Sequence, residues 1–342
     1  MTESLKFTGP ADVLAFIPHS LGYQPEESFV LLTLQGKQLG ATLRVDAPSE
    51  AAPAGYAQAL VTYLAADDAA TATVLAVYTD ETGPDGARPY REHVEALTAE
   101  LALADMPLKD AWIITAENWR NYLCEDTGCC PARPLETITD SNANAALIYT
   151  GSNVTGFTAP APFTGDPATR EAIDAEIPEG YPEELTHARG LWAQILDDQA
   201  ALTGHAARQL AGAFQHKTIR DYLMADVITP ARDLTGTPKF DDILLGHLPG
   251  RPDWARVDRA QELSFELMKT TPEGQRAPLL SLIGWLEWLK GKASFAARYF
   301  KLAMDDVEEF RLAYLLAELV NRGLIAPVAA NKDTAYRPTR GQ

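Results

Sequence analysis

Cysteine is scarce in this 342-residue chain, and basic residues are outnumbered. Only three cysteines occur, all within WRNYLCEDTGCCP, at Cys124, Cys129 and Cys130. A disulfide framework is therefore excluded as the main source of stability. The 29 Lys and Arg stand against 47 Asp and Glu, a net charge of −18. The deficit is uneven. Residues 1–150 carry 8 basic against 21 acidic side chains, and the remainder carries 21 against 26. Nucleic-acid binders need a basic footprint to displace counterions, so no nucleic-acid partner is expected. Anionic membrane surfaces are disfavoured for the same reason. Long apolar runs are missing too: Phe29–Leu34 is far too short to span a bilayer. MTESLKF has neither the basic start nor the long apolar stretch of a signal peptide, so the expected location is the cytoplasm.

Motifs of common enzyme classes are absent as well. There is no P-loop, GxGxxG, HExxH or GxSxG. The six histidines show no metal-ligand spacing.

What is present is a globular composition, 46% hydrophobic, in a chain long enough for about two domains. The first 150 residues alternate strand and helix signals. SFVLLTL (28–34) and LGATLRV (39–45) read as strands joined by a glycine-containing hairpin link. A helix-like segment ends at Pro18. Further helices are expected near Pro53–Ala66 and Pro89–Ala104, and strands at Thr73–Tyr78, Ala111–Thr115 and Ala145–Tyr149. The sum is an α/β domain with a mixed sheet flanked by helices over 1–150. Residues 151–182, punctuated by five prolines, read as a linker or crossover. An α-helical, repeat-like domain is expected over 183–325, with helices such as Trp254–Lys269, Ala277–Lys290 and Ser294–Asp305, then a frayed tail over 326–342.

In the last helices Leu280, Gly284, Gly291, Ala296, Phe300 and Ala303 fall at tetratricopeptide-like spacing. Glu308 departs from that pattern, which usually has proline there. The segment reads either as an ordinary helical hairpin or as one good repeat in a small solenoid. A solenoid offers a concave surface for a protein partner, with Trp285, Trp288 and Tyr299 as candidate contact residues.

Two groups of side chains could carry chemistry. Asp46, Asp80 and Glu117 each follow a predicted strand, and ligands of open α/β sheets gather at carboxyl ends of strands. Converging, they would hold Mg²⁺ or Mn²⁺ for hydrolysis. Asp and Glu also end strands simply because they favour turns. The cysteines are the second group. Adjacent side chains in an extended segment diverge, so Cys129 and Cys130 are not expected to share an ion, and no metal is assigned to them. Glu125 and Asp126 beside Cys124 argue against a low-pKa thiol. Buried thiols filling a tight loop are the expectation.

Taken together, PADVLAFIPHSLGYQPEESFVLLTLQGKQLGATLRVD (10–46), NYLCEDTGCCP (121–131), Ile219-Arg220-Asp221 and GWLEWLKGKASFAARYFKLA (284–303) resemble the actinobacterial domain-of-unknown-function family numbered 4192. The Leu21–Ser28 and Cys129-Cys130-Pro131 elements are the more specific. The resemblance implies a bacterial protein and transfers no catalytic residue. The function expected from the residues is a binding or adaptor protein, with no cofactor, whose helical half engages a protein partner. The alternative is a divalent-metal-dependent hydrolase built on Asp46, Asp80 and Glu117.

Overall fold

A computed structural model describes residues 6–83, 88–126, 128–150, 152, 154, 156–163, 165–229, 240–248, 250–331 and 333–336. The chain divides into two compact units, with the boundary between Phe157 and Thr158.

The first unit is an α/β sandwich. Its elements are α1 (Pro10–Leu21), β1 (Ser28–Gln35), β2 (Gln38–Asp46), α2 (Pro53–Leu64), β3 (Ala72–Tyr78), α3 (Arg91–Leu103), β4 (Leu108–Ile114), β5 (Asn118–Asn121), β6 (Arg133–Pro134), α4 (Glu136–Thr139) and α5 (Asn142–Tyr149). Among the described residues six strands form one sheet in the order β2-β1-β3-β4-β5-β6. All pairings are antiparallel except β3 with β4, which α3 connects in parallel. The sheet is therefore mixed, as its sequence implies. Gly36 (φ 64°) takes the first central position of the β1–β2 hairpin, where a two-residue turn favours glycine.

Alternation along the strands makes two cores, because successive side chains leave opposite faces. Phe29, Leu31, Leu75, Val77 and Ile113 pack against Leu60 and Leu64 of α2 and Val94, Leu97 and Leu101 of α3. Val30, Leu32, Ala76, Tyr78, Trp112 and Ile114 pack against Leu14 and Ile17 of α1, with Leu135 and Ile138 beside them. Both faces are covered, which explains why β1 and β3 read as unbroken apolar runs.

Two expectations fail in this unit. Ala145–Tyr149 is not a strand but the end of α5. The Ser141 hydroxyl caps that helix by accepting from Asn144 N at 3.2 Å, and the Asp12 carboxylate accepts from Ala143 N at 3.2 Å. The helix at the N-terminus does not end at Pro18 but runs through it to Leu21, closing on Gly22 (φ 82°).

The second unit is helical: α6 (Thr169–Asp174), α7 (Pro182–Leu196), α8 (Gly204–Gln215), α9 (Lys217–Ile228), α10 (Phe240–Leu244), α11 (Trp254–Lys269), α12 (Ala277–Leu289), α13 (Ala293–Asp306), α14 (Arg311–Asn321) and α15 (Pro327–Ala330). Helix α11 has the bounds its sequence predicts, set by Asp253, whose carboxylate accepts from Ala255 N and Arg256 N. Every residue of α12 is buried, as its apolar character on all sides requires. Gly284 permits the α12–α13 approach: a Cβ there would lie 2.5 Å from Phe300 Cε1. Residues 326–331 and 333–336 do not fray. Ala326 and Val328 are buried, Trp254 Nε1 donates to Thr334 O at 2.9 Å, and the Tyr336 ring stacks edge-on against Trp254. The rest of the predicted tail lies outside the described residues, as does much of the break expected at Thr229–Pro252.

Candidate functional site

The direction of the strands decides where a site can form. β2 and β3 each run antiparallel to β1, and β4 runs parallel to β3. Hence the carboxyl ends of β2, β3 and β4 share one edge of the sheet. Ligands of open α/β sheets bind outside such an edge. A cavity of about 400 Å³ opens here. Leu14 and Pro18 of α1, Tyr78 at the end of β3, Ile114 at the end of β4, and Leu135 and Ile138 give it an apolar wall. Gln24, Glu26, Glu27, Thr79, Asp80, Thr115 and Thr139 give it a polar rim, with Pro25 and Ala116 among them. Pro18 lacks the amide that the Leu14 carbonyl would receive one turn earlier, and both residues border the cavity.

Glu27 organises the rim. Its φ of 36° places a non-glycine residue in left-handed territory, a strained conformation that only surrounding contacts hold. Those contacts are specific. Thr79 Oγ1 donates to Glu27 Oε2 at 2.7 Å, and Asp80 N donates to Oε1 at 3.1 Å. The Glu27 carbonyl accepts from Ala47 N at 2.9 Å, tying the loop to the end of β2. Asp80 in turn accepts from Ala116 N at 2.7 Å, which links the β3 and β4 ends. Burial raises the Tyr78 phenol well above its ordinary pKa, so it stays neutral against the cavity.

The sequence places Asp46, Asp80 and Glu117 on this edge, and the structure agrees on the edge but does not bring them together. β1 lies between β2 and β3, so Asp46 starts about 10 Å from the β3 end. Asp46 is exposed and paired with Arg44 Nη1 at 2.5 Å. Among the described residues these three carboxylates form no group within metal-ligating reach of one another. The divalent-metal reading loses its ligand set. Sequence reasoning missed Glu27, whose role follows from backbone strain and long-range partners. The only signal is the polarity of the link between α1 and β1, Gly22 to Glu27.

Trp285, Trp288 and Tyr299, expected as partner contacts, are core residues, exposed by only 0%, 4% and 2%. Trp285 Nε1 donates to Leu244 O and Trp288 Nε1 to Leu324 O, each at 2.8 Å; Tyr299 OH donates to Thr158 O at 2.7 Å. The apolar stripe that suggested a binding face is satisfied within the unit.

The cysteines also depart from expectation. The segment is a turn rather than an extended strand. Asn121 Oδ1 accepts from Leu123 N and Cys124 N, and Asp126 Oδ1 accepts from Gly128 N and Cys129 N. Cys129 is exposed and the other two are half-buried, so none is a core filler. All three sulfurs lie within 4.8 Å of one another. The Cys130 thiol beside it, and then the Asp126 backbone, hold Cys124 below the ordinary thiol range, outweighing the Asp126 charge. Cys130 is pushed up to about 12, first by Cys124.

An α/β unit with a cavity at the carboxyl edge of a mixed sheet, followed in the chain by an α-helical unit, is thus the class of protein that the fold defines. The family model described as "Domain of unknown function (DUF4192)" matches residues 10–326, and the chain belongs to that family. Comparison with curated proteins finds no match, and comparison with solved structures finds none. Among the described residues no helix is long and apolar enough to cross a membrane.

Proposed function

We propose that this is a non-catalytic binding protein of the bacterial cytoplasm, whose α/β unit takes a small organic ligand at the sheet edge. The observation that carries the reading is the form of the cavity: apolar wall, acidic rim, and rim carboxylates already engaged in holding loops. Glu27 and Asp80 each commit part of their acceptor capacity, to Thr79 and Asp80 N and to Ala116 N respectively. Side chains committed in this way hold the rim in shape. Largely apolar concavities with a few polar groups are the usual form of small-molecule sites. Glu26, Glu27 and Asp80 on the rim favour a ligand with an apolar body and a cationic or hydrogen-bond-donating head.

A thermal-shift series tests this, with benzylamine and tryptamine as probes against benzyl alcohol and indole-3-acetate. The amines are expected to raise the melting temperature, with stabilisation growing as the logarithm of one plus ligand concentration over Kd. Ala116→Trp, at an exposed rim position, is expected to fill the cavity and abolish the response without unfolding the chain. Equal shifts for tryptamine and indole-3-acetate, or an unchanged response in Ala116→Trp, would discard the cavity as the binding site.

The helical unit is the half proposed to engage a protein partner, as its repeat-like spacing suggests. With the α12 aromatics buried, the candidate surface moves to α14, where Tyr314 and Leu315 are exposed beside buried Ala313 and Leu316. Capture from a native lysate with wild type and a Tyr314→Ser/Leu315→Ser variant is the check. A partner lost by the variant alone supports an adaptor role for α14. Identical capture by both baits removes it.

A further inference from the structure

We infer that Cys124, Cys129 and Cys130 form a three-thiolate site for one thiophilic d¹⁰ cation, Zn²⁺ or Cu⁺, with its remaining coordination position open to solvent. The inference does not depend on the cavity at the sheet edge.

The geometry is the first argument. The three Sγ atoms lie within 4.8 Å of one another, and Cys129 and Cys130 Sγ are 3.9 Å apart. Zn–S bonds of about 2.3 Å in a tetrahedral arrangement require sulfurs about 3.8 Å apart. The observed triangle needs to close by less than about 1 Å to bind, well within side-chain torsional freedom.

The second argument is that the turn is held chiefly by hydrogen bonds to Asn121 and Asp126, with one thiol-to-backbone contact, Cys124 Sγ to Asp126 O at 3.7 Å. Asn121 Oδ1 receives Cys124 N at 2.8 Å, Asp126 Oδ1 receives Gly128 N at 2.8 Å, and Asp126 O receives Cys130 N at 2.8 Å. These bonds fold the segment back on itself and turn Cys129 and Cys130 to the same side as Cys124. A site whose ligands are set by outer hydrogen bonds binds without first ordering a loop.

Third, the competing explanations fit less well. Free cysteine that serves packing is among the most buried residue types, and here no cysteine is buried. A Cys129–Cys130 disulfide joins residues whose Cα atoms are about 3.8 Å apart, short of the usual span of about 4.4–6.8 Å. Any disulfide also leaves one thiol over. Three soft ligands and no imidazole select zinc or copper(I) rather than magnesium or manganese. Glu125 and Asp126 beside the thiols add negative charge that favours a cation. Binding is a proton exchange with no change of oxidation state: three S–H bonds break, three S–metal bonds form, and three protons pass to solvent.

The test uses the full chain, reduced and freed of metal. Titration with Co²⁺, a spectroscopic stand-in for Zn²⁺, is expected to give thiolate-to-cobalt charge-transfer absorption that saturates at one equivalent. Zn²⁺ should bleach it. Cys129→Ser, at an exposed position, should lose it while keeping the far-ultraviolet dichroism of wild type. Iodoacetamide labelling of all three thiols should slow by about 10-fold or more with metal in excess of Kd. Zinc that stays bound in native mass spectra against stoichiometric Cu⁺ assigns zinc; displacement of bound zinc by Cu⁺ assigns copper. Absence of the charge-transfer band, labelling rates indifferent to Zn²⁺ and Cu⁺, or peptide mapping that shows a Cys124–Cys129 or Cys124–Cys130 disulfide persisting in reducing buffer would each overturn the site.

Discussion

Trp285→Ala is expected to destabilise the helical unit by about 3–5 kcal/mol, the range for truncating a buried aromatic to alanine. Trp285 is fully buried at the middle of α12, a helix enclosed on every side. Three losses add. The indole leaves a void whose lining loses its dispersion contacts. Its transfer free energy from water is forfeited. The Leu244 carbonyl, which receives Trp285 Nε1 at 2.8 Å, loses its donor. Trp285→Phe should fall between, since it restores much of the volume but not the N–H. Urea unfolding followed by far-ultraviolet dichroism reports the difference, because the second unit is helical. The same experiment decides between core and contact residue. A partner anchor would tolerate alanine with little loss of stability and lose only its partner. A stability change within about 0.5 kcal/mol, as expected for substitutions on an open surface, would contradict the packing described. Tyr314→Ser/Leu315→Ser should show that surface behaviour.

What the sequence reveals about this chain follows from which interactions are local. The bounds of α11 are legible because Asp253 caps it and its apolar positions repeat at helical spacing. The β1–β2 hairpin is legible because two apolar runs flank a short link containing Gly36. β5 is not, since its four residues, Asn118–Asn121, carry no alternating apolar pattern and exist as a strand only through pairing with β4 and β6. Ala145–Tyr149 has the apolar content of a strand, yet it is helical because Ser141 and Asp12, the latter 131 positions from Ala143, satisfy the first amides of α5. The candidate site divides in the same way. The shared edge of Asp46, Asp80 and Glu117 could be anticipated from strand ends, but their separation depends on β1 lying between β2 and β3. Likewise Cys129 and Cys130 diverge only if the segment is extended, and the side chains of Asn121 and Asp126 make it a turn. Spacing alone contains neither fact.

Asp12→Ala should show the second large effect, a loss of about 3 kcal/mol near neutral pH, as expected where a buried charged acceptor is removed from several donors. Asp12 is buried in the first turn of α1, where a negative charge also suits the helix dipole. It accepts from Thr8 N at 2.7 Å, Thr8 Oγ1 at 2.6 Å and Ala143 N at 3.2 Å. Burial raises its pKa, but the bonds from Thr8 and Ala143 outweigh burial and hold the carboxyl below its ordinary range. The sign of the pH dependence follows. A folded-state pKa below the unfolded value, about 3.9, means that the carboxylate's contribution is complete above that pH and fades as pH falls through the folded pKa. The gap between wild type and Asp12→Ala in urea midpoint should therefore be constant from about pH 5 to 7 and narrow below about pH 4. A gap that stays the same across that range would mean that Asp12 acts by packing and not by its charge. The variant also bears on function. Helix α1 carries Leu14 and Pro18 into the cavity wall, and Asp12 is the carboxylate that joins α1 to α5. Loosening that junction should weaken the response of the cavity to amines in the folded protein, whereas Trp285→Ala, in the other unit, should leave it intact.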